Sequence, residues 1–358
     1  MLTPSRLRLA RHRRALTLTA LARRSGVPLR TLSAYENAHH SPPPATVARL
    51  AAALDVDAAF LAGDDVDLLD PDVVSFRKLS RTTAGRRDAA LAAGRIAIEI
   101  ADWVERRFTL PAPDLPTLEK HEPETAAEIV RRRWGLGERP LPSAVHLLEA
   151  HGVRVFSLAD DCREVDAFSL IRDDRPFVFL NTDRSAERQR FDAAHELGHL
   201  LLHSGAARVH GRDREAEANR FAAAFLMPRR AVLAQGLREA TVEAILVAKR
   251  PWVVSAMALT HRLHELHLLS DWNYRTTCVA LARDGYRTAE PGGAAPEVSQ
   301  VLTKVLAGLR DRGGVGELTA HLGLSADELS RHLFGLVPAV LTGGAETSPR
   351  RAVLHVVP

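Results

Sequence analysis

The sequence predicts a multidomain protein that is mainly α-helical, with one part of the α+β class. Its 358 residues exceed the length of a typical single domain. Apolar residues recur at helical spacing through most of the chain, whereas short apolar runs between residues 152 and 180 are typical of strands. The predicted bounds are 1–63, 64–113, 114–235 and 236–358.

Positive charge is concentrated in the first of these parts. Residues 1–63 hold nine arginines, no lysine and three acidic residues, a net charge of +6 against +4 for the whole chain. A basic module joined to a slightly acidic body indicates a nucleic-acid partner for the module alone.

Five short helices are predicted in this module. Thr17 is a suitable N-cap for a helix over 18–25, Gly26 ends that helix, and Pro28 leads into a helix over 29–37. Two short helices joined by such a tight turn are typical of a helix-turn-helix. A five-helix module used only for protein contacts or dimerisation is the alternative.

The segment LTLTALARRSGVPLRTLSAYENAHHSPPPATVARLAAALDV closely resembles the Xre/Cro-type repressor domain, which has the lambda-repressor-like fold. The resemblance implies a double-stranded DNA operator as partner and residues 29–37 as the recognition helix. The residues expected to face DNA are Arg30, Thr31, Ser33 and Asn37. Because repressors of this type commonly bind pseudo-palindromes as dimers, we expect a homodimer.

The next part, 64–113, begins with an acidic stretch of five aspartates between Asp64 and Asp72, which predicts a solvated linker. A single helix over about 85–108 follows. It either packs on the next domain or pairs between subunits.

The motif H-E-x-x-H occurs once, at His195, Glu196 and His199. In a helix, residues four apart share one face, so both imidazoles can reach one zinc ion at about 2.0–2.1 Å. Glu196 is rotated by about 100° from His195, where a carboxylate can act as general base beside a Lewis-acid metal. His203 is about 12 Å beyond His195 along the helix, too far to share the ion, and is interpreted as a polar cap.

A second predicted helix ends at Met227-Pro228 and carries Glu215 and Asn219 one turn apart. Such a helix can supply a glutamate ligand and an amide that hydrogen-bonds a ligand histidine. The E-x-x-x-N spacing favours Glu215 as the ligand, and Glu217 is the alternative.

The sequences FDAAHELGHLLLH and EAEANRFAAAFLMP resemble the ImmA/IrrE metallopeptidases, the M78 group. The resemblance implies a zincin-like α+β domain with a small sheet. It also implies a Zn²⁺ site in which His195, His199 and Glu215 are ligands and Glu196 is the base. One strand is expected to edge the cleft, where an extended substrate can add by main-chain hydrogen bonds.

Residues 236–358 are predicted to be mostly helical, with a sensor or dimerisation role. A zinc peptidase usually needs a donor that stabilises the oxyanion, and the sequence does not choose among four candidates: His261, His264, His267 and Tyr274. Cys162 and Cys278 are far apart and predict no disulfide framework. No apolar run is long enough to span a membrane, so we expect a cytoplasmic protein.

The sequence is compatible with two functions. In the first, the chain is a DNA-binding regulator with a zinc-dependent endopeptidase domain that cleaves a repressor protein, under stress or mobile-element control. In the second, the peptidase-like domain is a non-catalytic sensor of a metal or a ligand. The intact H-E-x-x-H favours the enzyme, whereas direct fusion to a DNA-binding module favours the sensor.

Overall fold

A computed structural model of the chain describes residues 1–71, 75–76, 83–158, 165–204, 211–310 and 314–337, with only the backbone given for 75–76. Asp72 and Cys162 lie outside the described residues, as do residues 338–358 of the predicted C-terminal part. Cys278 is a free, half-buried thiol. Among the described helices, none is long and apolar enough to cross a membrane.

The five predicted helices of the N-terminal module are confirmed. The Thr17 hydroxyl accepts a hydrogen bond from the backbone N–H of Ala20, and Gly26 ends the second helix with a φ of 68°. A positive φ is ordinary for glycine and costly for other residues, which explains why this helix stops here. The bounds are α1 Pro4–Arg13, α2 Leu18–Ser25, α3 Leu29–Glu36, α4 Pro44–Leu54 and α5 Ala58–Leu61.

The acidic stretch after this module exposes its described aspartates, as predicted for a solvated linker, but it is also packed against the protein through two apolar residues. Val66 and Leu69 are buried, and the Asp67 carbonyl accepts a hydrogen bond of 3.1 Å from Arg95. The prediction considered only the cluster of aspartates and not the two apolar residues between them. The two-residue strand β1 (Ser75–Phe76) and the long helix α6 (Ala84–Glu105) follow.

Helix α6 joins the two halves of the molecule and is largely buried. On one side its Glu99 forms a 2.7 Å ion pair with Arg6 of α1. On the other side Gly94 faces Phe168, and a Cβ at Gly94 would lie only 2.9 Å from that ring. The connecting helix therefore packs within the chain, between the N-terminal module and the sheet.

The sheet has four strands in the order β1-β3-β4-β2. β3 pairs antiparallel with both β1 and β4, whereas β2 and β4 are parallel. Asp173 and Asp174 have φ of 51° and 59°, as a two-residue hairpin turn requires at both central positions. The preceding helices and the strands are α7 Pro123–Arg133, α8 Ala144–Ala150, β2 Arg154–Ser157, β3 Ala167–Arg172 and β4 Arg175–Leu180.

Strand β3 lies between two helices because its side chains alternate across the sheet. Phe168 points toward α6, and the next residue, Ser169, points toward α9 (Ala186–Leu202), where it contacts Glu196. Helix α10 (Arg212–Leu226) packs on α9 at Gly198, where a Cβ would lie 3.0 Å from Phe221. This close approach brings the polar residues of α10 next to the histidines of α9.

The described residues of the C-terminal part are mostly helical, as predicted, and they contact both the N-terminal module and the sheet. Gly323 has a φ of 62° and faces the backbone of Phe60 in α5, while the carbonyl of Phe334 accepts a 2.9 Å hydrogen bond from Thr182 after β4. The bounds are α11 Arg229–Leu233, α12 Val242–Ala248, α13 Ala256–Glu265, α14 Asp271–Arg283, α15 Gln300–Arg310, α16 Gly314–Leu322 and α17 Ala326–Leu333.

Candidate metal centre and DNA-binding surface

Three potential metal ligands converge between α9 and α10. The Nε2 atoms of His195 and His199 are 3.0 Å apart. The carboxylate of Glu215 lies 3.5 Å from the first Nε2 and 3.2 Å from the second. Ligand atoms of these three residues all lie within 4.8 Å of one another. Two bonds of about 2.0 Å at a tetrahedral angle put ligand atoms about 3.3 Å apart, so these separations fit one zinc ion.

Each histidine is oriented through its other ring nitrogen. The Nδ1 atom of His195 is 3.1 Å from Oδ1 of Asn219. The Nδ1 atom of His199 is 2.9 Å from Nδ1 of His203, whose Nε2 is in turn 2.8 Å from the carboxylate of Glu217. Helix α10 therefore supplies a polar partner for the ring of each histidine, one of them through His203.

These contacts fix where the protons lie. Burial lowers the pKa of His203, although the hydrogen bond to Glu217 opposes that shift, so its ring is neutral at neutral pH. The carboxylate of Glu217 can only accept, so Nε2 of His203 donates to it and Nδ1 of His203 carries a lone pair. That lone pair must accept the Nδ1 proton of His199.

The same logic leaves both Nε2 atoms without a proton. The Nδ1 of His195 donates to the Asn219 oxygen, and the Nδ1 of His199 donates to His203, so two lone pairs face each other across 3.0 Å. Two lone pairs at this distance repel unless a cation lies between them. The two imidazole nitrogens and the glutamate therefore fit a zinc ion in the chemistry of the donor set as well as in spacing.

Glu215 is available as an anionic ligand. Its carboxylate oxygens lie 3.5 Å from Nε2 of His195 and 3.2 Å from Nε2 of His199, so a cation between the two nitrogens would also contact this carboxylate. Glu217, the alternative ligand, instead has its carboxylate on His203.

Glu196 is fully buried and is held from the sheet side. The Ser169 hydroxyl donates a 2.7 Å hydrogen bond to its Oε2, so β3 fixes the carboxylate beside the two histidines. Sequence reasoning missed Ser169. The available signal was a single hydroxyl on the apolar strand Ala167–Arg172, at a position whose neighbours are all buried.

The structure also places His203 and the candidates for oxyanion stabilisation. His203 is the C-cap of α9, as predicted, and is also the ring partner of His199, a role that the sequence analysis missed. Of the oxyanion candidates, His261 contacts the Tyr274 hydroxyl at 2.7 Å and His264 contacts Asp271 at 2.8 Å. These residues pair with one another on α13 and α14.

On the N-terminal module, the third helix presents a polar face. Arg30 and Asn37 are exposed, Thr31 and Ser33 are half-buried, and Leu32 is fully buried beneath them. The Asn37 amide donates a 2.9 Å hydrogen bond to the Ser33 carbonyl, closing the end of the helix. The four residues expected to face DNA therefore lie on the outer side of α3 and at its end.

Replacing Glu217 with Gln is expected to weaken zinc binding by about 10–100-fold, the usual effect of losing a partner of a ligand histidine. A glutamine amide can present its NH₂ to His203 and so reverse the proton order that leaves Nε2 of His199 bare. Zinc affinity is measured by competition with a chromogenic chelator. Asp213→Asn, at an exposed position on the first turn of α10, is the matched control and should change affinity less than twofold. Equal affinities for the two variants would contradict the proton order.

Two family models match the chain. Residues 5–62 match a helix-turn-helix domain, and residues 148–264 match Peptidase_M78, described as the IrrE N-terminal-like domain. The second match contains every residue of the three-ligand group and its partners. A search of curated proteins found no match.

Proposed function

We propose that this chain, a fusion of a helix-turn-helix domain with an IrrE-like Peptidase M78 domain, binds an operator in double-stranded DNA and hydrolyses peptide bonds with zinc. The observation that carries the enzyme proposal is the set of His195, His199 and Glu215 with ligand atoms within 4.8 Å of one another, next to a buried glutamate. The three residues hold the ion in this proposal.

Zinc bound there would supply Lewis acidity that polarises a peptide carbonyl and makes a water molecule more nucleophilic. Glu196 takes the proton from the attacking water and passes it to the leaving amine. Ser169 keeps the carboxylate of Glu196 in position through its 2.7 Å hydrogen bond. Asn219 and the His203–Glu217 pair hold the imidazoles with their unprotonated nitrogens toward the ion.

The substrate that we propose is a repressor protein of the Xre type, with its cleavage relieving repression under stress or mobile-element control. This step rests on the resemblance of the two quoted motifs to the ImmA/IrrE metallopeptidases. The chain's own DNA-binding module would bring the peptidase to the operator where such a repressor is bound. We also propose that the chain acts as a homodimer, as expected for operators with two-fold symmetry.

The alternative is a transcription factor whose peptidase-like domain senses a metal or ligand without catalysis. Buried ion pairs that join α17 to the end of α1 favour this sensor function. Glu328 of α17 contacts Arg13 at 2.5 Å and Arg14 at 2.8 Å, so a change in the body of the protein has a direct structural route to α1. Glu196 distinguishes the two functions, since a sensor does not need a general base.

The first test measures zinc in the purified chain by mass spectrometry, together with cleavage of an unstructured protein. We expect about one zinc per chain, and the loss of a ligand nitrogen in His199→Ala should make zinc substoichiometric. Chelation of the zinc should stop cleavage, and added zinc should restore it. His146→Ala, which removes a half-buried histidine of α8, is the control for losing an imidazole. A wild-type chain that takes up no zinc even when it is offered would refute the peptidase proposal.

The DNA-binding proposal is tested with Arg30→Ala. A bidentate contact from an exposed arginine to guanine contributes about 1–3 kcal/mol, so we expect the Kd for the operator to rise by roughly 5–150-fold. The operator is first selected from random duplexes, and affinity is then measured by fluorescence anisotropy at fixed salt. Arg283→Ala, an exposed arginine on α14, is the control and should leave the Kd unchanged. An unchanged Kd for Arg30→Ala would remove this residue from the interface.

A further inference from the structure

The chain places an extended segment of its own along the strand that contacts the general base. β1 pairs antiparallel with β3, with Ser75 opposite Ser169 and Phe76 opposite Phe168. Ser169 is the residue whose hydroxyl holds Glu196. The short strand therefore lies beside β3 at the position along that strand where the catalytic carboxylate is held.

This edge is where a peptide can add to the sheet. One edge of β3 is taken by β4 along its whole length, so a peptide can pair only on the opposite edge, the one that β1 occupies. Addition of an extended segment to a sheet edge is a common mode of peptide recognition, in which main-chain hydrogen bonds supply affinity and side chains supply specificity. Since each position on an edge pairs with one strand at a time, β1 and a separate peptide exclude each other at Phe168 and Ser169.

The segment is also held close to the edge from both sides. Before it, Leu69 is buried against α6 and the Asp67 carbonyl is bonded to Arg95 of that helix. After it, α6 itself begins at Ala84 and packs on Phe168. A short tether of this kind gives the segment an effective concentration on the order of millimolar at the edge. A separate substrate present at micromolar concentration would compete poorly.

We propose that the strand Ser75–Phe76 is an intramolecular occupant of the edge of β3 opposite β4, the edge at which an extended substrate is expected to add. The inference deepens the proposed function and rests on it for its consequence. A protein substrate must present an extended segment and must displace the connector before its peptide bond can reach Glu196. The connector also joins the DNA-binding module to the peptidase body, so a shift of one relative to the other moves the occupant.

Binding is tested in the full chain with Glu196→Gln, so that no peptide is cut. The probe is a fluorescent peptide that copies residues 70–82, DPDVVSFRKLSRT. In an antiparallel pair of strands, every second residue donates its backbone N–H to the neighbouring strand. Either Ser75 or Phe76 is such a residue, and proline has no N–H, so the double variant S75P/F76P loses at least one hydrogen bond to β3. If β1 covers the edge in about nine-tenths of the parent chains, only about one-tenth can bind the probe. Removing β1 from the edge then lowers the apparent Kd of the probe about tenfold. We therefore expect S75P/F76P to bind the probe at least about tenfold more tightly.

The variant S75A/F76A keeps both N–H groups and is the matched control for main-chain pairing. It should bind the probe less tightly than S75P/F76P. A scrambled probe should bind neither chain. Equal binding of the true probe to the parent chain and to S75P/F76P, or binding to neither, would overturn the proposal.

Disulfide trapping tests the pairing without any proline. In a background with C162S and C278S, the variant S75C/S169C places two thiols directly opposite each other, where Cβ atoms are about 4.5–5.5 Å apart. Mild oxidation should cross-link this chain rapidly, as judged by intact mass and gel mobility. The variant S75C/S157C is the control, because Ser157 lies on β2, beyond β3 and β4 and about 14 Å from β1 at ordinary strand spacing. Equal cross-linking rates in the two variants would refute the pairing.

The two proposals can fail separately. Probe binding and cross-linking require neither zinc nor hydrolysis, so they survive if the chain proves to be a sensor that cuts nothing. Conversely, cleavage of an unstructured protein at the same rate by wild type and S75P/F76P would leave the peptidase standing. In that case the connector would not be the occupant of the edge.

Discussion

Replacing Glu196 with Gln is expected to lower the rate of peptide hydrolysis by about 10²–10⁴-fold, the usual contribution of a positioned general base. Glutamine has nearly the same shape and can still accept the Ser169 hydrogen bond, but it cannot take a proton from water. Zinc affinity should stay within a few-fold, because the ligand rings are oriented by Asn219 and His203, which the substitution leaves in place. The rate is measured as kcat/KM on an unstructured protein, and zinc is measured in the same samples.

Glu243→Gln supplies the control, since this residue is an exposed glutamate on α12. It should leave both rate and zinc unchanged. If Glu196→Gln kept most of the activity, the base would have to be another group and the assignment would be wrong. If the variant lost operator binding together with cleavage, the sensor interpretation would gain, because the two functions would no longer be separable.

The parts of the site that the sequence predicted are those set by helical spacing. His195 and His199 lie one turn apart on α9, and Glu215 and Asn219 lie one turn apart on α10, so local periodicity is enough to place each pair on one face. Approach of the two helices at Gly198 then brings the pairs together. The packing of α9 on α10 could be assumed in advance, because one zinc ion can bind ligands from both helices only if the helices are in contact.

The parts that were missed depend on contacts between distant elements. Ser169 reaches Glu196 only because β3 packs on α9, and nothing local distinguishes it from any other serine in a strand. The distance along the helix excluded His203 as a ligand but did not show what its ring contacts. Its partner, Glu217, lies on the neighbouring helix.

The connector shows the same limit. Charge patterning predicted a solvated stretch, but Val66 and Leu69, placed between aspartates, are buried, and Leu69 packs near Gly94 of α6. Pairing of Ser75 with Ser169 joins residues far apart in the chain. Such long-range pairing is decided by the assembled sheet rather than by local propensity.

The buried carboxylate at the junction of the two chain ends gives the second large prediction. Glu328 of α17 is almost inaccessible and pairs with Arg13 at 2.5 Å and Arg14 at 2.8 Å. His332 on the same helix lies 3.3 Å from it. Glu328→Gln is expected to lower the free energy of unfolding by about 3–5 kcal/mol, because it leaves the buried Arg13 without its counter-ion.

Urea unfolding followed by circular dichroism measures this loss. The matched control is Glu317→Gln, which removes an ion pair of 2.5 Å with Arg107 in which the glutamate is 59% exposed. Because water screens an exposed pair, the control should cost about 0–1 kcal/mol. Similar losses in the two variants would mean that the buried pairs do not hold α1 to α17.

The ion pairs of Glu328 also predict how the difference in unfolding free energy between wild type and Glu328→Gln varies with pH. Burial raises the pKa of Glu328, but His332 and the two arginines outweigh burial and hold the pKa well below 4.5, its ordinary value. A carboxyl with a depressed pKa in the folded state contributes its full stability above the unfolded pKa, and loses it as the pH falls below that value. The gap between wild type and Glu328→Gln should therefore be constant from pH 7 down to about pH 5. It should then shrink by up to about 1.4 kcal/mol per pH unit, since the unfolded chain takes up a proton that the folded chain does not. A gap that stayed constant down to pH 3 would show that the loss arises from packing rather than from the carboxylate charge.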